Sequence, residues 1–325
     1  MTKSTTFVSR LTGLLADYLG MAVALVILLL VFGRIADNFY SWDTFRNIAD
    51  QVPDITIIAV GMTFVLIIAG IDLSVGSILA LSGAVLGVTL VQLHWPLPLA
   101  MASCLGVGLL CGLLNGGLVV AWGLPSFIVT LGMLEIARGA TYLVTSSRTV
   151  YLFDGLNWVT DYSFLGLSVP FVLAIAVVLL AQLVLSFTVF GRYMIAIGTN
   201  EQALRLSGIS PGRIKLAVFV LSGLLCAVAS IIHTAHYQAN PNNGQGLELQ
   251  AIAAVVIGGT SLMGGRGSVI NTFFGVLIIK VLETGLAQVG AQEPTKRLIT
   301  GLVIVAAVIL DYYRHRLRKS SGLPG

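Results

Sequence analysis

Long apolar runs separated by short polar segments are the feature that most constrains the fold of this chain. A membrane-spanning helix needs about 20 mostly apolar residues, so each long run is a candidate span. Only 10% of the 325 residues are charged, against about 25% in soluble domains. We therefore predict one all-α integral membrane domain over residues 1–325. Ten candidate spans lie near residues 19–36, 55–70, 74–93, 97–122, 125–145, 169–190, 214–236, 249–265, 268–290 and 298–313.

The basic residues predict that both ends of the chain lie in the cytosol. Lys3 and Arg10 precede the first apolar run, and a basic tail, 314–325, follows the last one. Because Lys and Arg favour the cytoplasmic side of a membrane, the number of crossings is expected to be even, which fits ten. Residues 1–18 are then a cytoplasmic segment. The loops expected outside are 37–54, 146–168 and 237–248.

Two regions share a pattern of apolar run, glycine-rich break and apolar run. The first is Ile55–Leu90, broken at Ala69–Gly76, and the second is Ala251–Leu286, broken at Gly264–Ser268. Paired interruptions of this kind predict two pseudo-repeated halves, as in internally duplicated transporters.

The segment Gly191–Lys215 is polar in an otherwise apolar chain. The predicted topology places it in the cytosol. Its centre, Asn200–Leu206, favours a short helix that Ser207 and Gly208 would end. It could simply be a solvated loop that orients the protein by charge. A short helix held between two spans is also suited to dock on a cytosolic partner. The side chains expected to enter a groove there are Leu204, Leu206 and Ile209, with Arg205 adding orienting charge.

Charged residues inside the spans come in two pairs, Glu135 with Arg138 and Lys280 with Glu283. A charge at the bilayer centre costs about 2.5–3.5 kcal/mol on insertion scales. Spacing of three residues places both partners on one helix face, where they can pair. Two interpretations stay open: a hydrophilic pathway, or structural pairs.

Other polar residues in or between the spans allow the same two interpretations. Asp72, followed by Ser74, is either part of a polar path or a helix cap. The others either hydrogen-bond a substrate or join neighbouring helices. They are Asn115, Thr130, Thr260 and Ser261.

Nothing in the sequence predicts a catalytic, metal or nucleic-acid site. The glycine-rich run 257–268 lacks the Gly-Lys-Ser/Thr of a phosphate loop. His233 and His236 have no Cys or carboxylate nearby in sequence, and the three cysteines lie in apolar runs. The net charge of +4 sits in loops and at the C-terminus, so it indicates topology. We expect no cofactor, and the lipid bilayer is the expected surrounding.

Three blocks of the sequence resemble the permease subunits of ribose-type ATP-binding-cassette sugar importers. Together they extend over roughly residues 20–312, in the order of that family. One departure is Gln250, where the family usually has Asp after Glu-Leu. The matching residues are Ala59–Thr63 with Gly70–Ser77, Gly191–Arg192 with Ala196–Glu201 and Arg205–Ile209, and Gly246–Ser268.

The resemblance implies a homodimer or heterodimer of permeases with about ten helices each, in a bacterial inner membrane. A separate cytosolic ATPase would bind residues 191–215, and a periplasmic sugar-binding protein would deliver the substrate. The sugar is left open among ribose, xylose, arabinose, galactose and related monosaccharides. The expected ATPase-coupling residues are Gly198, Asn200, Glu201, Ala203, Leu204, Arg205, Leu206, Gly208 and Ile209. The candidate translocation path comprises Asp72, Ser74, Asn115, Glu135, Arg138, Thr260 and Ser261.

On this interpretation the permease breaks no bond: closure of the ATPases pulls on the short helix and rocks the spans. The alternative is a proton-coupled secondary sugar transporter. It would need its own ionisable relay, for which the candidates are Glu135, Arg138, Lys280 and Glu283.

Overall fold

The computed structural model is almost entirely helical. It describes residues 4–152, 156, 159, 163–164 and 167–320. One short antiparallel pair, β1 (Ser163–Phe164) and β2 (Leu167–Ser168), precedes the seventh helix. The helices are α1 (Ser4–Ile35), α2 (Trp42–Gln51), α3 (Pro53–Ile67), α4 (Val75–Gly87, continued by a π-helical turn Val88–Gln92), α5 (Leu97–Ala121), α6 (Ser126–Val144), α7 (Val169–Phe187), α8 (Val189–Leu206), α9 (Pro211–Tyr237), α10 (Leu247–Ile257), α11 (Val269–Gln288) and α12 (Glu293–Ser320).

Six of the described helices are long and apolar enough to cross a membrane: α4 with its π-helical turn, α5, α6, α7, α9 and α11. A seventh span results if α2 and α3, bent by 42° at their junction, count as one. The prediction of an all-α membrane protein is confirmed, whereas these helices do not by themselves confirm ten spans. The segment predicted as a cytoplasmic N-terminus is helical from Ser4 and continuous with the first apolar run. The tail beyond residue 320 lies outside the described residues.

The predicted span 249–265 is wrong in its second half. Helix α10 has 11 residues and ends at Ile257, because Gly258 and Gly259 follow and Gly259 has a φ of +79°. Its length of about 16 Å is well short of a hydrocarbon core of about 30 Å.

Helix α3 lies at the centre of the bundle. All of its residues except Asp54 are buried, and α7, α9, α10 and α11 surround it. A helix that is apolar on every side has no polar face for water, so it lies either in lipid or, as here, among other helices.

Both predicted glycine-rich breaks are present as non-helical segments, 68–74 between α3 and α4 and 258–268 between α10 and α11. They also touch each other, since the backbone N–H of Gly265 donates a 2.9 Å hydrogen bond to the carbonyl of Ile67. The side-chain oxygen of Gln182 on α7 caps the start of α11 by accepting from the N–H of Val269 at 2.8 Å. The two broken spans are therefore tied together at one end of the bundle.

Candidate functional site

Helix α8 contains the short helix that the sequence predicts. The backbone leaves helical geometry at Asn200 (φ −162°, ψ 94°), and the Asn200 Oδ1 atom accepts a 3.0 Å hydrogen bond from the N–H of Ala203. This is an N-cap, so a new short helix starts there. It ends at Ser207 and Gly208, where φ is +85°. Residues 191–199, predicted to be part of the polar loop, are helical instead.

An ion pair holds the short helix against the next span. The Nζ atom of Lys215, in the second turn of α9, lies 2.6 Å from Oε2 of Glu201. Arg205 approaches the other carboxylate oxygen of Glu201 at 3.5 Å. The ion pair with Lys215 joins the short helix to α9, whereas the contact with Arg205 lies within the short helix.

The short helix exposes a different set of side chains from the one predicted. Leu206 is 90% exposed, and the Arg205 side chain is 72% exposed. Leu204 is buried, at 8%, in a core cluster with Ile214 and Val218. Residues two apart on a helix point about 200° apart, so Leu204 and Leu206 cannot enter the same groove. Leu204 is therefore an internal anchor of the helix. Ile209 is partly buried against the same cluster, while Ala203 and Gly208 are exposed.

Gly198 lies where α8 crosses the two broken spans. A Cβ atom at this position would clash with the carbonyl oxygen of Ile67 and the amide nitrogen of Gly265. The following residue, Thr199, lies against Gly265, whose φ is +79°. Met263, just before the glycine pair that ends at Gly265, is 83% exposed and is not among the predicted coupling residues.

Asp72, Ser74 and Asn115, three of the candidate path residues, belong to one buried hydrogen-bond network. The Asp72 carboxylate accepts hydrogen bonds from the N–H of Ser74 at 3.0 Å, from its hydroxyl at 2.6 Å, and from the Ser222 hydroxyl at 3.0 Å. Asn115 donates to the Ser74 hydroxyl at 2.9 Å. All four side chains are buried. The network joins the break after α3 to α5 and α9, so Asp72 links neighbouring helices; it is not the N-cap of α4, which is Ser74.

Glu135 and Arg138 do not pair, although their spacing allows it. The guanidinium of Arg138 donates from Nη1 to the carbonyls of Pro241 at 2.9 Å and Asn243 at 2.7 Å. Both acceptors are backbone carbonyls of the segment between α9 and α10, so Arg138 joins α6 to that segment. Glu135 is exposed at the middle of α6.

Thr260 and Ser261 lie in the break before α11 and not beside the Asp72 network. Thr260 is buried, and its hydroxyl has no hydrogen-bond partner among the described atoms. The Ser261 hydroxyl accepts from the N–H of Met263 at 3.2 Å. The hydroxyl of Thr130 donates to the carbonyl of Ile71 at 3.1 Å and so joins α6 to the break after α3. The residues predicted to form one translocation path therefore do not lie together in the structure.

The pair Lys280 and Glu283 is confirmed, with an Nζ–Oε2 distance of 2.9 Å. The amide of Gln250 donates to the other carboxylate oxygen of Glu283 at 3.3 Å. The departure noted at position 250 thus places an uncharged donor beside this carboxylate. His233, on α9, binds the Asp54 carboxylate through Nδ1 at 2.6 Å. The described residues contain no cluster of three or more metal-ligating side chains.

Comparisons with known proteins match this chain to permease components of transport systems. The profile of the family described as branched-chain amino acid transport system, permease component, matches residues 44–308. A ribose import permease protein of Haemophilus influenzae is 41% identical over 300 residues, covering 90% of this chain and 92% of the relative. A fructose import permease protein of Rhizobium meliloti is 36% identical, covering 90% and 84%. A galactofuranose transporter permease protein of Escherichia coli is 34% identical, covering 90% and 89%.

Proposed function

This chain belongs to the family of transport-system permease components whose profile matches residues 44–308, and we propose that it carries a monosaccharide across a bacterial inner membrane as the membrane-spanning subunit of an ATP-binding-cassette importer. A permease component is a transport subunit and not an enzyme. The sugar class comes from relatives whose names specify ribose, fructose and galactofuranose import.

The proposal that α8 couples the permease to an ATPase is based on how α8 packs against the bundle. Its short helix exposes Leu206 and Arg205, while Leu204, Glu201 and Gly198 fix it to the bundle. Because Gly198 touches both broken spans through backbone atoms, a push on the exposed face reaches both spans directly. We assign the exposed face to a cytosolic ATPase subunit.

The remaining partners follow from the same assignment. A periplasmic sugar-binding protein would deliver the sugar at the opposite end of the bundle. A second permease, identical or related, would face α6, because Glu135 is exposed at the middle of that span and a lone carboxylate facing lipid there is costly.

We also retain ten spans with both termini in the cytosol. The six long helices and the bent pair are joined by the shorter apolar helix Gly20–Ile35 and by α10, which is too short to cross alone and would cross together with the non-helical segment 258–268. Helix α12 would be the tenth crossing. The glycine-interrupted pairs α3–α4 and α10–α11 then mark corresponding places in two pseudo-repeated halves.

The proposal is tested with a double variant, Arg205→Glu with Leu206→Asp, in the assembled transporter. We expect membrane insertion to persist while co-purification of the ATPase and ATP-dependent sugar uptake both fall by about tenfold or more, since an exposed docking site of this kind depends on a few side chains. Undisturbed co-purification and uptake would refute the coupling assignment.

Arg46→Glu is the matched control. Arg46 lies on α2 at the opposite end, its side chain is 67% exposed, and it faces Asp50 four residues on, as Arg205 faces Glu201 four residues back. We expect this variant to keep the ATPase bound.

The proton-coupled alternative makes a different prediction. Uptake into vesicles that contain this chain alone, with an imposed proton gradient and no ATP, would support it. We expect no uptake there, and uptake only when the ATPase and ATP are present.

A further inference from the structure

The segment between α9 and α10, residues 238–246, is not helical, and yet Ala239, Pro241 and Gly244 in it are buried against the bundle. Arg138, well within the span α6, binds the carbonyls of Pro241 and Asn243. The carbonyl of Gly244 lies so close to Gly76 that a Cβ there would clash with it. Irregular backbone at membrane depth occurs only where protein covers it or where it lines a water-filled cavity.

A polar cleft of about 700 Å³ adjoins the end of this segment. Its walls are α2, the start of α10, the end of α11 and the start of α12. Helix α11 begins beside α8 and ends at the cleft, about 30 Å away by its length. The cleft therefore lies at the end of the bundle opposite the short helix of α8. Its volume is in the usual range for a small-molecule site, about 300–1,000 Å³.

The lining is rich in amides and balanced in charge. Two acidic residues, Glu283 and Glu293, face two basic ones, Lys296 and Arg297, and Lys296 bonds to Glu293. The amide side chains in the wall are those of Asn47, Gln51, Gln245, Gln250 and Gln288. A carboxamide offers donors and an acceptor without charge, which suits an uncharged ligand with many hydroxyl groups.

We propose that this cleft is a binding site for a neutral monosaccharide within the permease itself. That the ligand is a sugar rests on the proposed function, whereas the position of the site and the lack of charge on its ligand are inferred from the cleft. Gln250 and Glu283 form the recognition pair at its wall. Each Glu283 oxygen accepts one hydrogen bond, from Lys280 or from Gln250, so the carboxylate retains lone pairs for sugar hydroxyls.

The site is tested by thiol protection in the purified, membrane-reconstituted permease. The native cysteines Cys104, Cys111 and Cys226 are buried, so Gln245→Cys introduces one reactive thiol in the cleft. We expect ribose, fructose or galactose to slow its reaction with a charged thiol reagent. At a sugar concentration of about five times Kd the rate falls about sixfold, because the free fraction is 1/(1 + [L]/Kd).

Gln292→Cys is the matched control, since Gln292 is exposed on the neighbouring turn but does not line the cleft. Its rate should not change with sugar. Adding Gln250→Leu to Gln245→Cys should remove the protection, and gluconate should protect less than the neutral sugars. Equal rates with and without every sugar, or protection that survives Gln250→Leu, would overturn the proposal.

The titration needs neither ATPase nor binding protein, so its result is separate from that of the uptake assay. ATP-dependent uptake without protection would reject the cleft and leave the proposed function standing. Protection without ATP-dependent uptake would support the cleft and reject the proposed function.

Discussion

The backbone N–H of Gly265 donates a 2.9 Å hydrogen bond to the carbonyl of Ile67, and this bond joins two spans that are each interrupted by glycine-rich backbone. Gly198 of α8 lies against both of these groups. At this junction, α8 therefore meets the bundle through backbone atoms that have no rotamers to adjust.

Gly198→Ala is expected to disturb this junction. The added Cβ would clash with the Ile67 carbonyl and the Gly265 amide, and relieving that clash typically costs about 1–3 kcal/mol. We expect a lower unfolding temperature of the purified permease and a loss of ATP-dependent uptake larger than the loss of protein from the membrane.

The control for this variant is Gly106→Ala on α5, where no atom lies within 4 Å of the added Cβ. An alanine there should leave stability and uptake close to those of the unmodified protein. If Gly198→Ala behaves in the same way, the close approach of α8 has no mechanical importance.

Reversing the charges of Glu201 and Lys215 tests whether their ion pair orients the short helix or stabilises the folded protein. The pair is partly exposed, so its removal should cost at most about 1 kcal/mol. Glu201→Lys places a third cation beside Lys215 and Arg205, and we expect uptake to fall by about tenfold with little change in unfolding temperature. Restoration of uptake by Glu201→Lys with Lys215→Glu would be the signature of pairing, and a double variant no better than the single would speak against it.

Asp72→Asn distinguishes a structural hydrogen-bond acceptor from a proton-carrying group. The Asn side chain keeps an acceptor for Ser74 and can donate to the Ser222 hydroxyl, so we expect uptake to be nearly unchanged. Asp72→Ala leaves buried donors unsatisfied, which costs about 1–3 kcal/mol for each. Uptake assays with denaturation of both variants check this, and loss of uptake in a stable Asp72→Asn protein would favour a functional carboxylate.

Local signals made the short helix of α8 predictable. Asn200 and Gly208 begin and end it through contacts within a few residues. The pair Lys280 and Glu283 was predictable for the same reason. Identical spacing failed for Glu135 and Arg138, because the acceptors of Arg138 lie 103 and 105 residues further along the chain.

The segment 238–246 was not predictable from its composition. Asn, Pro and Gly in succession are typical of an exposed loop, and only contacts with α4 and α6 bring this segment into the bundle. The cleft beside it was missed because its walls combine α2, near the start of the chain, with α10, α11 and α12 near its end.

The burial of α3 sets an order for assembly during synthesis. This helix precedes in the chain all four helices that cover it, α7, α9, α10 and α11. At 15 residues it is also shorter than the roughly 20 that a stable lone span requires. Its surroundings are complete only when the ribosome has passed Gln288, so α3 must wait in the membrane, or in the insertion machinery, for most of the chain to be made.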